Sequence, residues 1–184
     1  MMKKSLKGFT LVEMLIVIVA VGIIGSMTAR LLIQGSDIFV GETNRQSFMS
    51  EVRFAFWRIM RESHGQVSKE QFFSSTSKDM YLKHSNGNNK QIEIDSFNNI
   101  SLDQDGNKRI LTNYYSPLSE GVTYYDSNFE IINQSESGLT EAQTKEIQLI
   151  KVNLNFYNNQ DTTSLSSYIY PPNFDYGEKS GFHD

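Results

Sequence analysis

Glu13 has the least ordinary surroundings of any charged residue in the chain. It stands at the head of an apolar run, Met14 to Gly25, that carries no polar side chain over twelve residues. A carboxylate at membrane depth costs on the order of 2.5–3.5 kcal/mol on insertion scales, so it calls for a partner of opposite charge. Other candidates for chemistry are sparse. His64, His84 and His183 are too scattered to suggest a metal site. Asp103-Gln104-Asp105-Gly106-Asn107 opens like a calcium loop, but position 12 of that frame is Tyr114 where a Glu is required. Between two strand-like runs, Asp105-Gly106 reads better as a hairpin turn. No Ser-His-Asp order, phosphate loop or carboxylate pair stands out. The chain has no cysteine, which excludes disulfides, Cys-bound zinc and thiol catalysis. The expectation is a non-enzymatic protein without catalytic residues, metal or cofactor.

The elements that must position Glu13 begin with the membrane segment. The apolar run extends from Phe9 to about Ala29, close to the roughly 20 residues that cross a hydrocarbon core as a helix. Lys3, Lys4 and Lys7 precede it, which places the N-terminus in the cytoplasm and the bulk of the chain outside. A cleaved secretory signal fits poorly. Glu13 interrupts the start of its apolar core, Ser26-Met27-Thr28-Ala29 is a weak small-residue site, and the apolar pattern continues into Arg30-Leu31-Leu32-Ile33.

The 184 residues allow one domain plus this appendage. Net charge is -4; without the three leader lysines, 14 basic residues face 21 acidic ones. That balance repels phosphate backbones, and no basic stripe is present, so no nucleic-acid partner is expected.

Lys7-Gly8-Phe9-Thr10-Leu11-Val12-Glu13 resembles the prepilin cleavage and methylation motif of type IV pilins and type II secretion pseudopilins. The resemblance covers residues 3 to about 33: a short basic leader, Gly before Phe, an acid at the fifth position of the mature chain, and an apolar helix. It implies cleavage by prepilin peptidase between Gly8 and Phe9 and N-methylation of Phe9. It also implies a filament-assembly role for Glu13 and Phe9, the carboxylate meeting the positive N-terminus of a neighbouring subunit. Two charges that are costly alone in lipid offset one another when paired. The implied partners are other pilin or pseudopilin subunits, the peptidase, an inner-membrane assembly platform and, before assembly, membrane lipid. The implied location is the bacterial cytoplasmic membrane, single-pass, and then an extracytoplasmic filament. The tip pseudopilin called K typically lacks the acid, so Glu13 disfavours that type.

Beyond the membrane, Phe48, Met49, Val52, Ala55, Phe56, Ile59 and Met60 form a stripe at three- and four-residue spacings. Arg45, Glu51, Arg53, Arg58, Arg61 and Glu62 are placed on its flanks, and Trp57 in core or boundary packing. His64-Gly65 marks the stop and Gly35-Ser36-Asp37 a possible kink. The pattern predicts one helix over about 9–63. Strands are expected at Met80–Lys83, Gln91–Asp95, Ile100–Leu102, Lys108–Leu111, Val122–Tyr125, Phe129–Ile132 and Ile147–Tyr157, the last with its register shifting near Ile150. Ser85 to Asn89 is a turn signal. Residues 164–184 read as an irregular tail with Pro171-Pro172 and several aromatics.

The expected fold class is α+β and pilin-like, one long N-terminal helix with a transmembrane first half, packed on an antiparallel β-sheet. Its parts are a leader at 1–8, a transmembrane or filament-core helix at 9–33, an amphipathic continuation at 34–64, and a β-rich extracytoplasmic domain at 65–184. Two short segments, Arg53 to Glu62 and Leu118-Ser119-Glu120-Gly121-Val122, are similar to J-type pseudopilins and PilW-like minor pilins. A minor subunit near the filament tip, part of an initiating complex, is the expected function. The alternatives are an adhesive or DNA-uptake minor pilin and, more remotely, an anchored extracytoplasmic enzyme or sensor.

Overall fold

A computed structural model describes residues 8–84, 87–95 and 97–170. The leader at 1–7, Ser85 and Asn86 of the expected turn, and the 171–184 part of the expected tail lie outside the described residues. The chain divides into two compact units, Met1–Gln46 and Ser47–Asp184. Helix α1, Leu11–His64, begins in the first and ends in the second. It passes Gly35-Ser36-Asp37 without a break.

In the first unit the described residues are almost entirely α1, and every side chain is exposed. This helix is long and apolar enough to cross a membrane, and none of its most apolar window is buried within the chain. An all-round apolar helix with no protein partner needs lipid or other helices as its solvent.

The second unit is α+β. β1 (Asp79–Lys83), β2 (Asn89–Ile94), β3 (Ile100–Gln104) and β4 (Asn107–Thr112) form a four-stranded sheet in sequence order. β5 (Gly121–Tyr125), β6 (Leu149–Asn158) and β7 (Asp161–Ile169) form a second sheet of three. All pairings are antiparallel. The single expected sheet is thus two, joined where the Val122 N–H donates to the Ser77 carbonyl at 2.9 Å. A short helix α2, Glu141–Glu146, precedes β6 and is opened by a Thr140/Gln143 capping box.

Periodicity explains most of this. The α1 stripe buries Phe48, Val52, Ala55, Phe56, Ile59 and Met60, and Met49 is half-buried. It shares one core with Met80, Leu82, Ile92, Ile94, Ile100 and Leu102 of the first sheet and Val122, Tyr124, Ile150, Val152, Leu154 and Phe156 of the second. Each full burial of such a side chain contributes about 1.5–3 kcal/mol before entropy is counted. β6 keeps a clean period of two with no register shift at Ile150, because Lys151, Asn153 and Asn155 hold the outer face. The β3–β4 hairpin turns on Asp105 (φ 52°) and Gly106 (φ 86°), as a two-residue turn requires. The Asp103 carboxylate accepts the Gly106 N–H at 2.8 Å and so serves the turn.

Four further expectations are corrected. Trp57 is not packed in the core but is 68% exposed. It follows Phe56 by one residue, about 100° around the helix, and so faces away from the stripe. Glu62 is not on a flank but is buried, 3% exposed. It continues the series Val52, Ala55, Ile59 by three more residues, which carries it onto the core side. Phe129–Ile132 is not a strand: the Asp126 carboxylate accepts the N–H groups of Asn128 and Glu130, both at 2.8 Å, and folds the chain into a turn. Only an isolated bridge, Tyr125 to Ile131, remains. Residues 164–169 are not irregular but belong to β7, which pairs with β6 along its full length.

The buried Glu62 closes α1 onto the first sheet. Its Oε1 lies 2.8 Å from Arg58 Nε and 3.3 Å from an Arg61 terminal nitrogen. Its Oε2 lies 2.5 Å from Lys90 Nζ on β2 and 3.4 Å from His84 Nε2 beyond β1. The same His84 nitrogen sits 3.0 Å from the Glu62 carbonyl oxygen. Gly65 follows the helix at a point where a Cβ would come within 2.6 Å of the His84 ring. Gln66, fully buried next to it, accepts the Lys83 N–H at 2.6 Å.

This packing sets the cost of two kinds of substitution. Glu62→Ala leaves the partly buried Lys90 and Arg58 without their counter-charge and is expected to cost about 3–5 kcal/mol, whereas Arg61→Ala, mostly solvated, costs under about 1 kcal/mol. Urea unfolding of the full chain in detergent, followed by circular dichroism, checks the pair; equal small losses would refute a structural role for Glu62. Gly121→Ala should cost roughly 2–4 kcal/mol by the same assay. Gly121 sits at φ 78°, and a Cβ there would run into the Ser77 carbonyl at the junction of the sheets.

Candidate functional site

The head of α1 is the candidate site. Thr10 immediately precedes the helix and Glu13 lies in its first turn. The Thr10 backbone N–H donates to Glu13 Oε2 at 2.8 Å, and the Thr10 hydroxyl donates to the same oxygen at 3.0 Å. The Glu13 N–H donates back to Thr10 Oγ1 at 3.3 Å. Thr10-Leu11-Val12-Glu13 is therefore a capping box, the reciprocal arrangement that satisfies free N–H groups at a helix start. An acid in the first turn also meets the positive end of the helix dipole.

This geometry gives Glu13 a role that its charge alone does not suggest. One oxygen of its carboxylate orders its own helix start. Both contacts from Thr10 use Oε2, and Oε1 has no hydrogen-bond partner among the described residues. The carboxylate can hold the cap and still present an oxygen outward. The signal in the sequence is the T-x-x-E spacing, which is legible once Thr10 rather than Phe9 is taken as the helix boundary.

Gly8 and Phe9 lie before the helix, outside regular structure, and both are exposed. A peptidase must draw extended backbone into its cleft. A peptide bond already outside the helix needs no unwinding. Gly8 offers no side chain to hinder that approach, and nothing lies within 4 Å of where its Cβ would stand. Phe9, Thr10 and Glu13 thus stand together at the helix start, whereas the remaining candidates stand apart. His64 is exposed at the end of α1, His84 contacts Glu62, and His183 lies outside the described residues. Among the described residues no group of three or more His, Asp or Glu side chains could hold a metal.

A second feature has no counterpart in the sequence motifs. Phe54, Trp57, Arg58, Met60, Arg61 and His64 of α1, with Ser167 and Tyr168 of β7, line a groove of about 580 Å³. Ser167 and Tyr168 are consecutive in a strand and so point to opposite faces of the sheet. A groove touching both runs along the strand's edge, and β7 is an edge strand. Its lining combines the aromatic side chains of Phe54, Trp57 and Tyr168 with the guanidinium groups of Arg58 and Arg61.

Comparison with known proteins bears on the first of these features. No curated protein matches the chain, and no solved structure does. Residues 3–29 match the family model described as the prokaryotic N-terminal methylation motif, which spans the basic leader, the Gly8–Phe9 bond, Glu13 and the apolar helix, and which supports a type IV pilin-like relationship.

Proposed function

We infer that the chain is a minor pilin or pseudopilin. Prepilin peptidase cuts it between Gly8 and Phe9, the new Phe9 amine is methylated, and α1 holds the product in the cytoplasmic membrane until it enters a type IV pilus-like filament. The observation that carries this reading is the methylation motif at residues 3–29, with Glu13 at the head of a helix whose apolar part is exposed among the described residues. The role is structural, not catalytic. Leader lysines set the orientation, with the β-rich domain outside the cytoplasm.

Glu13 explains how assembly is driven. In lipid its carboxylate is stabilised only by the cap at Oε2. A neighbour's Phe9 ammonium is equally costly alone in hydrocarbon, and bringing it to Oε1 relieves both groups. The same pairing fixes the axial offset between adjacent helices, since the two charges lie at defined heights on each. Burial of the apolar helix surface against other helices then replaces lipid contacts with packed ones.

The finer reading is a J-type or PilW-like subunit at or near the tip, in an initiating complex for type II secretion or pilus biogenesis. Its support is in two segments that resemble those subunits and have definite structural work here. Arg58 and Glu62 pair inside the Arg53–Glu62 segment. Gly121, in the Leu118–Val122 segment, occupies a left-handed conformation against Ser77 that other residues would not fit.

The cap and the charge can be separated by mutation. Glu13→Gln preserves a T-x-x-Q capping box but removes the charge; Glu13→Val removes both. Mass spectrometry of the wild-type protein should find methylated Phe9 as the first residue. Both variants should be processed but fail to enter sheared filaments. An intact Met1 or a cut near Ala29 in the wild type would sink the prepilin reading. Filament entry by Glu13→Gln at the wild-type level would reduce Glu13 to a cap.

A further inference from the structure

The geometry points to a specific contact between copies of this chain: the Asp126–Ile131 turn of one copy seats its Phe129 in the groove beside β7 of the next. The inference deepens the filament reading and rests on it.

The groove supplies half of the argument. Phe54 and Trp57 are 62% and 68% exposed on α1, and Tyr168 faces them from β7. Large aromatics grouped in one concavity mark an interaction surface more strongly than the same residues scattered singly. The lining is also cationic. Arg61 is 66% exposed, and its guanidinium is only partly engaged by Glu62. An occupant with an aromatic anchor and an adjacent carboxylate fits this chemistry.

The turn supplies the other half. Phe129 is 72% exposed and sits at φ 62°, a left-handed conformation that a bulky side chain rarely adopts. It is held there by a network of hydrogen bonds. The Asp126 carboxylate accepts two backbone N–H groups, the Asp126 N–H donates to the Glu130 carbonyl at 3.0 Å, and the Phe129 N–H donates to the Asp126 carbonyl at 3.2 Å. Strain maintained by a surrounding network is a reason to look for a role. Here the network presents an aromatic ring to solvent, with Ile131 also exposed and the Glu130 carboxylate next in the chain. Phe129 meets the aromatic side chains of the groove, and Glu130 meets Arg61.

Knob and groove are different surfaces of one chain, so the contact is heterologous. It propagates from copy to copy and does not close on itself as a two-fold dimer would. The knob contributes one aromatic ring, which buries roughly 150–250 Å², well short of the ~800 Å² per partner of a stable free-standing interface. The contact therefore works as the second point of attachment between subunits already gathered through their N-terminal helices, where effective concentration is high. An initiating complex built this way holds more than one copy.

The absence of cysteine and the single tryptophan make the test clean. Two differently tagged full-length chains, one Ser167→Cys in the groove and one Asn128→Cys beside Phe129, both keeping the aromatic anchors, are co-expressed with the assembly machinery and treated in membranes with a short bismaleimide. A mixed-tag dimer several-fold above that of Ser167→Cys paired with Leu118→Cys is expected; Leu118 is 87% exposed and lies outside the contact. In proteoliposomes, where the helices share one bilayer, Trp57 emission of the processed wild-type chain should shift to the blue as its concentration in the bilayer rises. Phe129→Ser should abolish the shift, Arg61→Glu should weaken it, and mixing Arg61→Glu with Glu130→Arg should restore it. Equal cross-linking to the control position, or emission independent of concentration, overturns the contact. Methylated Phe9 in the same samples shows that the filament reading survives such a failure.

Discussion

The ion cluster around Glu62 joins the helix of the second unit to its first sheet, and the rest of that unit is arranged about this junction. Glu62 is a core-facing position in the last turn of α1, next to the buried Ser63, and it is an acid where the pattern asks for a hydrophobe. Buried at 3% exposure, it gathers Arg58 and Arg61 from its own helix, Lys90 from β2 and His84 from just beyond β1. An apolar residue there would serve packing as well or better, since desolvating a buried ion pair can cancel its Coulombic gain. What the charge adds is directional. Hydrophobic contact alone allows a helix to slide or rotate on a sheet with little change in energy, whereas a carboxylate shared between helix and strands does not. We read Glu62 as the register pin between α1 and the β1–β2 hairpin.

α1 thus carries acids that matter in opposite settings. Glu13 is exposed among the described residues, holds its own cap with one oxygen and leaves the other open. Glu62 is enclosed, and both oxygens are taken. The first is poised to pair between chains; the second has completed its pairing within one. The same electrostatic rule governs both, that a carboxylate removed from water must find a positive partner. Only the source of the partner differs.

How much of this is legible in sequence follows from which residues carry a periodic signal. α1, β1 to β6 and the Asp105-Gly106 turn rest on apolar spacing or on left-handed turn residues, and these read directly. β7 does not, because its alternation is between Ser or Thr outside and Thr, Leu or Ser half-buried within, which has little hydrophobic contrast. α2 is silent for a related reason: six residues of Glu, Ala, Gln, Thr and Lys show no apolar face, and the Thr140/Gln143 box alone marks it. Phe129 to Ile132 has the composition of a strand, but Asp126 offers the backbone a side-chain acceptor that competes with strand pairing. At the candidate site the acid is conspicuous, while its cap is not. The apolar run draws the boundary of the helix at Phe9, and that boundary conceals Thr10 as the capping residue.

Glu62 and Trp57 mark the limit of reading a helix by residue type. Type places Glu62 outward because it is charged, and Trp57 inward because it is large and apolar. Spacing gives the reverse in both cases: Glu62 continues the buried series and Trp57 stands about 100° from it. When type and phase disagree on a helix with a strong stripe, phase decides where the side chain points, because one rotation of the helix must serve every residue in the stripe at once. The exception in type is then the informative residue. A charge forced inward demands partners, and Glu62 has them; an aromatic forced outward demands a surface, and Trp57, beside Phe54 and facing Tyr168, stands open to solvent within its own chain.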